Sequence, residues 1–193
     1  MSEYLIEASV QVNRRRDDLM RWLTTPDLMA RWIVGADSAQ AVDAAGSARD
    51  GAGAVGAALG DLVRLSVSMP GGQFRVANTY LGEIAEIGES RLVRRYQLEH
   101  TKVGVAGLRN GPADYERTVT YELGSATSAG PVTVSCTALT IIAGLPRAAA
   151  KAGAKSETRS LRRSLDQLRD CAEDRGGGPL GRLRGSGLSV QAL

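Results

Sequence analysis

Between Asp61 and Ala138 apolar and polar residues alternate in run after run, and this repeated period of two restricts the chain to an antiparallel sheet. Val63, Leu65, Val67 and Met69 share one side before Pro70-Gly71-Gly72 supplies a turn. Phe74, Val76, Asn78, Tyr80 and Gly82 then share a face, opposite Arg75, Ala77, Thr79 and Glu83. Gly88-Glu89-Ser90 turns the chain into a strand with Leu92, Arg94, Tyr96 and Leu98 on one side and Arg95, Gln97 and Glu99 on the other. A looser loop is expected from His100 to Asp114, with three glycines and Pro112. Tyr115, Arg117, Val119, Tyr121 and Leu123 follow, opposite Glu116, Thr118, Thr120 and Glu122. The last run sets Val132, Val134, Cys136 and Ala138 against Thr133, Ser135 and Thr137. Hairpin after hairpin with one wet face is a meander.

Such a sheet must cover its apolar face, and both ends of the chain offer cover. At the start, Tyr4, Ile6, Ala8, Val10 and Val12 alternate with Glu7, Ser9, Gln11 and Asn13, which predicts one more half-buried strand. Arg15 to Leu23 reads as a short helix with Leu19, Trp22 and Leu23 on one side. Thr25 suits an N-cap and Pro26 a first helical position. Leu28, Met29 and Trp32 give this second short helix its apolar side, and Gly35 ends it. A long helix opens at Leu145-Pro146 and runs to about Asp174, with Leu161, Leu165, Leu168 and Ala172 at helical spacing. Residues 36–60 are rich in Ala, Gly and Ser; a weak strand near 37–44 and a flexible Gly-rich turn are expected there. They lack the GxxxxGKS/T and GxGxxG spacings of phosphate-binding loops. The reading is one α+β domain over residues 1–174 and a flexible Gly/Arg-rich tail over 175–193.

Composition narrows the partners. The 43% hydrophobic residues suffice for a core, but aromatics are only 4% while glycines number 23. An interior of Ala, Val, Leu and Gly fills space less completely than one of Phe and Trp, which leaves room for a cavity. The net charge of +3 comes with no clustered basic stripe and stacking aromatics, so no nucleic-acid partner is expected. No apolar run approaches the ~18–20 residues that span a bilayer, so no integral membrane segment is expected. With no secretory-type start, a cytoplasmic location and reduced Cys136 and Cys171, packed as small hydrophobes, are expected. No His/Cys/Glu cluster has metal-ligand spacing, and no cofactor is expected.

The order strand, two short helices, six-strand meander, long C-terminal helix is the helix-grip order. The opening YLIEASVQVNRRRDDLMRWLTTPDLMARWIVGA resembles the first segment of the START-type, or SRPBCC, superfamily, with Thr25, Pro26, Asp27, Trp32 and Gly35 in the family's turn and second helix. More narrowly it resembles the polyketide cyclase/dehydrase-like and lipid-transport-like bacterial members. The string NTYLGEIAEIGESRLVRRYQL is similar to the family's middle strands. The resemblance implies a helix-grip fold: a curved antiparallel sheet of about seven strands wrapped on the C-terminal helix, with two short helices after the first strand. It also implies a cavity between sheet and helix for hydrophobic molecules, used by some members for cyclase or dehydratase chemistry and by others for lipid carriage. Residues 36–60 depart from the pattern by being unusually rich in Ala and Gly.

Sorting strand residues by face marks the candidates for that cavity. Among the apolar residues stand Asn78, Arg94 and Arg117, with Tyr80, Tyr96 and Tyr121 near them in sequence. Arg is almost never fully buried unpaired. Either Arg94 or Arg117 fixes a carboxylate or polarised oxygen on a greasy ligand, or each snorkels from a strand end or pairs with Glu157. Small residues on the long helix, Ala149, Ala150, Gly153 and Ala154, either leave ligand volume or permit close packing on the sheet. The single histidine, His100, is read as a surface or loop residue rather than a general base, and Trp22 and Trp32 as helix-packing residues.

Two functions share this cavity: binding or carriage of a small hydrophobic molecule, with an acidic group as an open option, and a cyclase/dehydratase-like enzyme. A third class, a module working through its outer surface, requires instead a filled interior and an exposed apolar patch. Oligomeric state has no signature in the sequence.

Overall fold

Strand β1 (Ser2–Val12) leads into helices α1 (Arg16–Thr24) and α2 (Pro26–Trp32), as the opening pattern predicts. The computed structural model describes residues 2–49, 57–71, 74–103, 108–110, 115–125, 130–143 and 147–173. Seven further strands follow: β2 (Ala36–Val42), β3 (Leu62–Gly71), β4 (Phe74–Ile87), β5 (Arg91–Val103), β6 (Leu108–Asn110), β7 (Tyr115–Ser125) and β8 (Val132–Ile142). Helix α3 (Arg147–Ala172) ends the described chain, so the expected helix start at Leu145-Pro146 and the tail lie outside the described residues. No helix among the described residues is long and apolar enough to cross a membrane.

The strands form one antiparallel sheet in the order β1-β8-β7-β5-β4-β3-β2, with β6 paired to β5. Leu19, Leu23, Met29 and Trp32 of the short helices are buried, as are Leu161, Leu165 and Leu168 of α3 and inward residues such as Val12, Val63, Ile84, Leu92, Leu123 and Val134 of the strands. These surfaces make one core. Cys136 and Cys171 are free and buried, Cys136 within this core, and burial pushes the Cys136 thiol up to about 12.

Three local readings need correction. His100 to Asp114 is not simply a loop, because β5 runs to Val103 and β6 pairs with it. The 14-residue β4 carries backbone groups that need a partner, and His100, Thr101, Lys102 and Val103 supply one. His100 therefore lies inside a strand, with its side chain exposed. Pro70 and Gly71 belong to β3, opposite Arg75 and Phe74, rather than to the turn. Pro70 is tolerated because β2 pairs with β3 only as far as Val67, leaving β3 an edge there. Thr25 stands at the N-cap of α2, but its hydroxyl makes no capping bond. Instead its N–H donates to the Arg21 carbonyl and its own carbonyl accepts from Met29 N, so one residue closes α1 and opens α2.

Two bulges bend the middle of the sheet. Glu99 is extra in β5, between the pairs Tyr80↔Leu98 and Thr79↔His100. Ala85 is extra in β4, between Ile84↔Arg94 and Glu86↔Val93. On the outer face Arg64 grips Glu99 by two bonds, 2.8 and 3.2 Å, and also donates to the Gly46 carbonyl at 2.8 Å. That hydrogen-bonded guanidinium holds the Glu99 carboxyl below its ordinary 4.5. A depressed folded-state pKa means stability present above the unfolded pKa and lost as pH falls through the folded one. Glu99→Gln is therefore expected to cost about 1 kcal/mol at neutral pH. Urea midpoints of wild type and variant should converge in acid; a gap constant with pH would show that the charge contributes nothing.

Candidate functional site

The register builds one row of side chains straight across the concave face. Tyr4 pairs with Thr140, Thr140 with Arg117, Arg117 with Tyr96, Tyr96 with Gly82, and Gly82 with Val63. Gly82 is required by a close approach: a Cβ there would stand 2.5 Å from Cε1 of Tyr96. The missing side chain lets the Tyr96 ring lie down over β4 and become part of a wall.

Above this row, between the sheet and α3, is a cavity of about 150 Å³. Its apolar wall comes from Leu65, Val67, Val119, the end of α2 (Trp32, Ile33, Val34) and Leu161. Tyr80, Tyr96, Tyr121 and Arg117 enter from the strands, and Glu157 from α3. Trp32 meets Tyr121 edge-on, with ring centroids 6.2 Å apart.

The polar groups gather at one end. Arg117 Nη1 donates to Glu157 Oε2 at 2.8 Å, and Tyr4 OH donates to Glu157 Oε1 at 2.8 Å. The Arg117 and Glu157 side chains are 21% and 27% exposed, so the pair is largely shielded from water. Burial works against the Arg117 cation, but Glu157 and the Tyr115 phenol outweigh it and the pKa rises. Burial, with Glu157 second, raises Tyr4. Burial also raises Tyr80, Tyr96 and Tyr121, so these phenols remain neutral donors at any ordinary pH. Asn78 is spoken for: it donates to Tyr80 OH at 3.1 Å and accepts from Thr101 Oγ1 at 3.0 Å. Tyr115 OH and Thr140 Oγ1 are buried nearby without a hydrogen-bond partner among the described residues.

Arg94 behaves differently from Arg117. It is 1% exposed, and its Nη2 donates to the Leu23 carbonyl at a long 3.4 Å. That contact closes the end of α1, where Met20, Arg21 and Trp22 carbonyls are taken by Thr24 Oγ1, Thr25 N and Trp32 Nε1. A cation at a helix C-terminus is favoured by the macrodipole. Its Nε has no partner.

Of the residues singled out from the sequence, Tyr80, Tyr96, Arg117, Tyr121 and Glu157 meet at the cavity. Asn78 supports Tyr80 from behind, and Arg94 does not line the wall. Ala150 and Ala154 do not line it either. Ala150 is buried, Ala154 packs against the core, and a Cβ on Gly153 would sit 3.9 Å from Tyr4 OH. Helix α3 packs on β1 in this stretch, with Gly153 close to Tyr4. The helix instead faces the cavity with Ser156, Ser160 and Ser164, a four-residue repeat not singled out from the sequence. Ser164 Oγ accepts from Val34 N at 3.0 Å, tying the end of α2 to α3.

No family model matches the chain, and no curated protein does. Solved structures do. An aromatase/cyclase, Zhui, from Streptomyces sp. R1128 superposes with a TM-score of 0.60 at 13% identity, covering 90% of this chain and 96% of that one. A conserved protein from Geobacillus kaustophilus gives 0.60 at 9% identity, over 89% and 96%. Ara h 8.0201 gives 0.52 at 10% identity, over 86% and 98%. At such identities the likeness is one of fold, and it spans nearly the whole of each partner. The chain thus has the helix-grip fold that these structures share.

Proposed function

We propose that the chain binds or carries a small hydrophobic molecule in the cavity between the sheet and α3. The observation that carries this reading is the cavity itself: apolar on most sides, with Arg117, Glu157 and three phenols among its lining. Its volume of 150 Å³ sets the size of the guest. A dry cavity of about that volume takes benzene, whereas pockets for drug-sized ligands run to roughly 300–1,000 Å³. A one-ring molecule fits without rearrangement. Arg117 is neutralised by Glu157, so the polar end suits a hydroxyl or carbonyl.

An enzyme in the same cavity is the second reading. Tyr96 and Tyr121, held neutral by burial, are suited to donate to a developing enolate oxygen. A multi-ring substrate would exceed the cavity, which is why carriage leads.

Native mass spectrometry of freshly purified full-length protein, with a thermal-shift titration of benzyl alcohol and indole, tests the proposal. A retained small molecule, or a concentration-dependent rise in melting temperature, is the expected result. No bound mass and no shift with either probe would sink it. If turnover is found, Arg117→Gln and Tyr96→Phe separate the readings: an enzyme loses rate while keeping its ligand.

A further inference from the structure

Among the described residues Arg94 is the only charged side chain that is fully buried, at 1% exposed. A guanidinium has five N–H donors, yet Arg94 makes a single hydrogen bond, the 3.4 Å one to the Leu23 carbonyl, and its Nε has no partner. Among the described residues no acid pairs with it. Glu157, the acid at the cavity, is already held by Arg117 and Tyr4. The interior therefore carries an uncompensated cation, and helix-terminal carbonyls answer it only in part.

Arg94 does not itself line the cavity, but it stands directly beside residues that do. It projects from the concave face, paired with Val119 across the sheet and two residues from Tyr96 on its own strand. Leu92, two residues the other way, pairs with Tyr121. Val119, Tyr96 and Tyr121 all line the cavity. Its positive charge opposes the burial that raises the phenols of Tyr96 and Tyr121. The bond to Leu23 is long and made to one neutral oxygen, so a carboxylate would be a stronger partner for the guanidinium than the one it has.

We infer that the guest is a hydrophobic monoanion, a carboxylate on a one-ring or short apolar body, and that Arg94 receives its charge beside Tyr96 and Tyr121. This rests on the cavity being a binding site, and it decides the chemical class of what binds. The neutral pair at Arg117 is left for a second polar group.

Benzoate and benzamide have nearly the same shape, and at about pH 7 only the first is charged. Calorimetric titration of the full-length wild type should give benzoate the tighter binding by roughly tenfold or more, as a charge-assisted bond demands. Arg94→Met should bring the two probes to within about threefold of each other, while Arg94→Lys keeps a preference for the anion. Equal binding of benzoate and benzamide to the wild type would overturn the inference without touching the cavity. Binding of neither, nor of benzyl alcohol, would overturn the cavity reading and this with it. The wild-type comparison stands whether or not the Arg94 variants fold.

Discussion

Replacing Trp32 with alanine is expected to cost about 3–5 kcal/mol, a large share of the roughly 5–15 kcal/mol that holds a domain together. Trp32 is the last residue of α2 and is 2% exposed. Three contributions leave with the indole. Its apolar surface is the largest part. The edge-on contact with Tyr121 adds about 0.5–1.5 kcal/mol. The 2.9 Å bond from Nε1 to the Trp22 carbonyl fastens α2 to α1, and its loss strands a helix-end acceptor. Urea unfolding followed by far-UV circular dichroism measures the change without relying on tryptophan emission. Trp32→Phe keeps a ring but not the donor, and about 1–3 kcal/mol is expected. Because Trp32 is also a cavity wall, the alanine variant opens the 150 Å³ space into the vacated site. Added indole should then raise the melting temperature of Trp32→Ala more than that of the wild type. A loss under about 1 kcal/mol with an unchanged urea slope would mean the cavity collapses to fill the gap, and that its walls are not rigid.

The residues that made the fold legible are those whose pattern is local. Alternation at Val63-Leu65-Val67 or Val132-Val134-Cys136 encodes a face directly, and the structure buries those faces. What the pattern does not encode is where an extra residue enters. Ala85 lets Ile84 and Ile87, an odd distance apart, both pack toward the core, and Glu99 lengthens β5 past the point where alternation fades. Strand β6 was hidden for a related reason. Three residues, Leu-Arg-Asn, carry no period, and only the pairing demand of β5 organises them.

At the site, sequence parity put Arg94 and Arg117 on the same concave face, and they do lie in adjacent rows. Parity is silent about reach. Only the register, with Arg117 one step from Thr140 and two from Tyr4, delivers it to Glu157, whereas Arg94 lies opposite Val119 and turns toward α1. The alanines near the start of α3 left two readings open because small residues mean proximity as readily as space. The serines at 156, 160 and 164 do face space, but polar residues on a helix read as its wet side.

Gly35→Ala is expected to cost about 2–4 kcal/mol, through two penalties acting at one atom. Gly35 has φ +81, a left-handed conformation that costs a non-glycine residue roughly 1–2 kcal/mol. Its Cβ would also stand 2.6 Å from the backbone oxygen of Ser68, which no side-chain rotation can relieve. The chain must move there, and the 2.8 Å bond from Ser68 N to the Gly35 carbonyl at the mouth of the β2–β3 pairing goes with it. Gly60→Ala is the control, because Gly60 has the same φ of +81 but nothing within 4 Å of the added carbon. The control should lose only the conformational part, so the difference between the two urea midpoints isolates the clash. The movement would not stay local. Ile33 and Val34, directly before Gly35, line the cavity, and Val34 N is bound to Ser164 on α3. Gly35→Ala should thus weaken probe binding as well as stability, while Gly60→Ala leaves binding intact. If both variants lose the same stability, to within about 0.5 kcal/mol, the contact with Ser68 is slack and Gly35 is needed for its backbone angle alone.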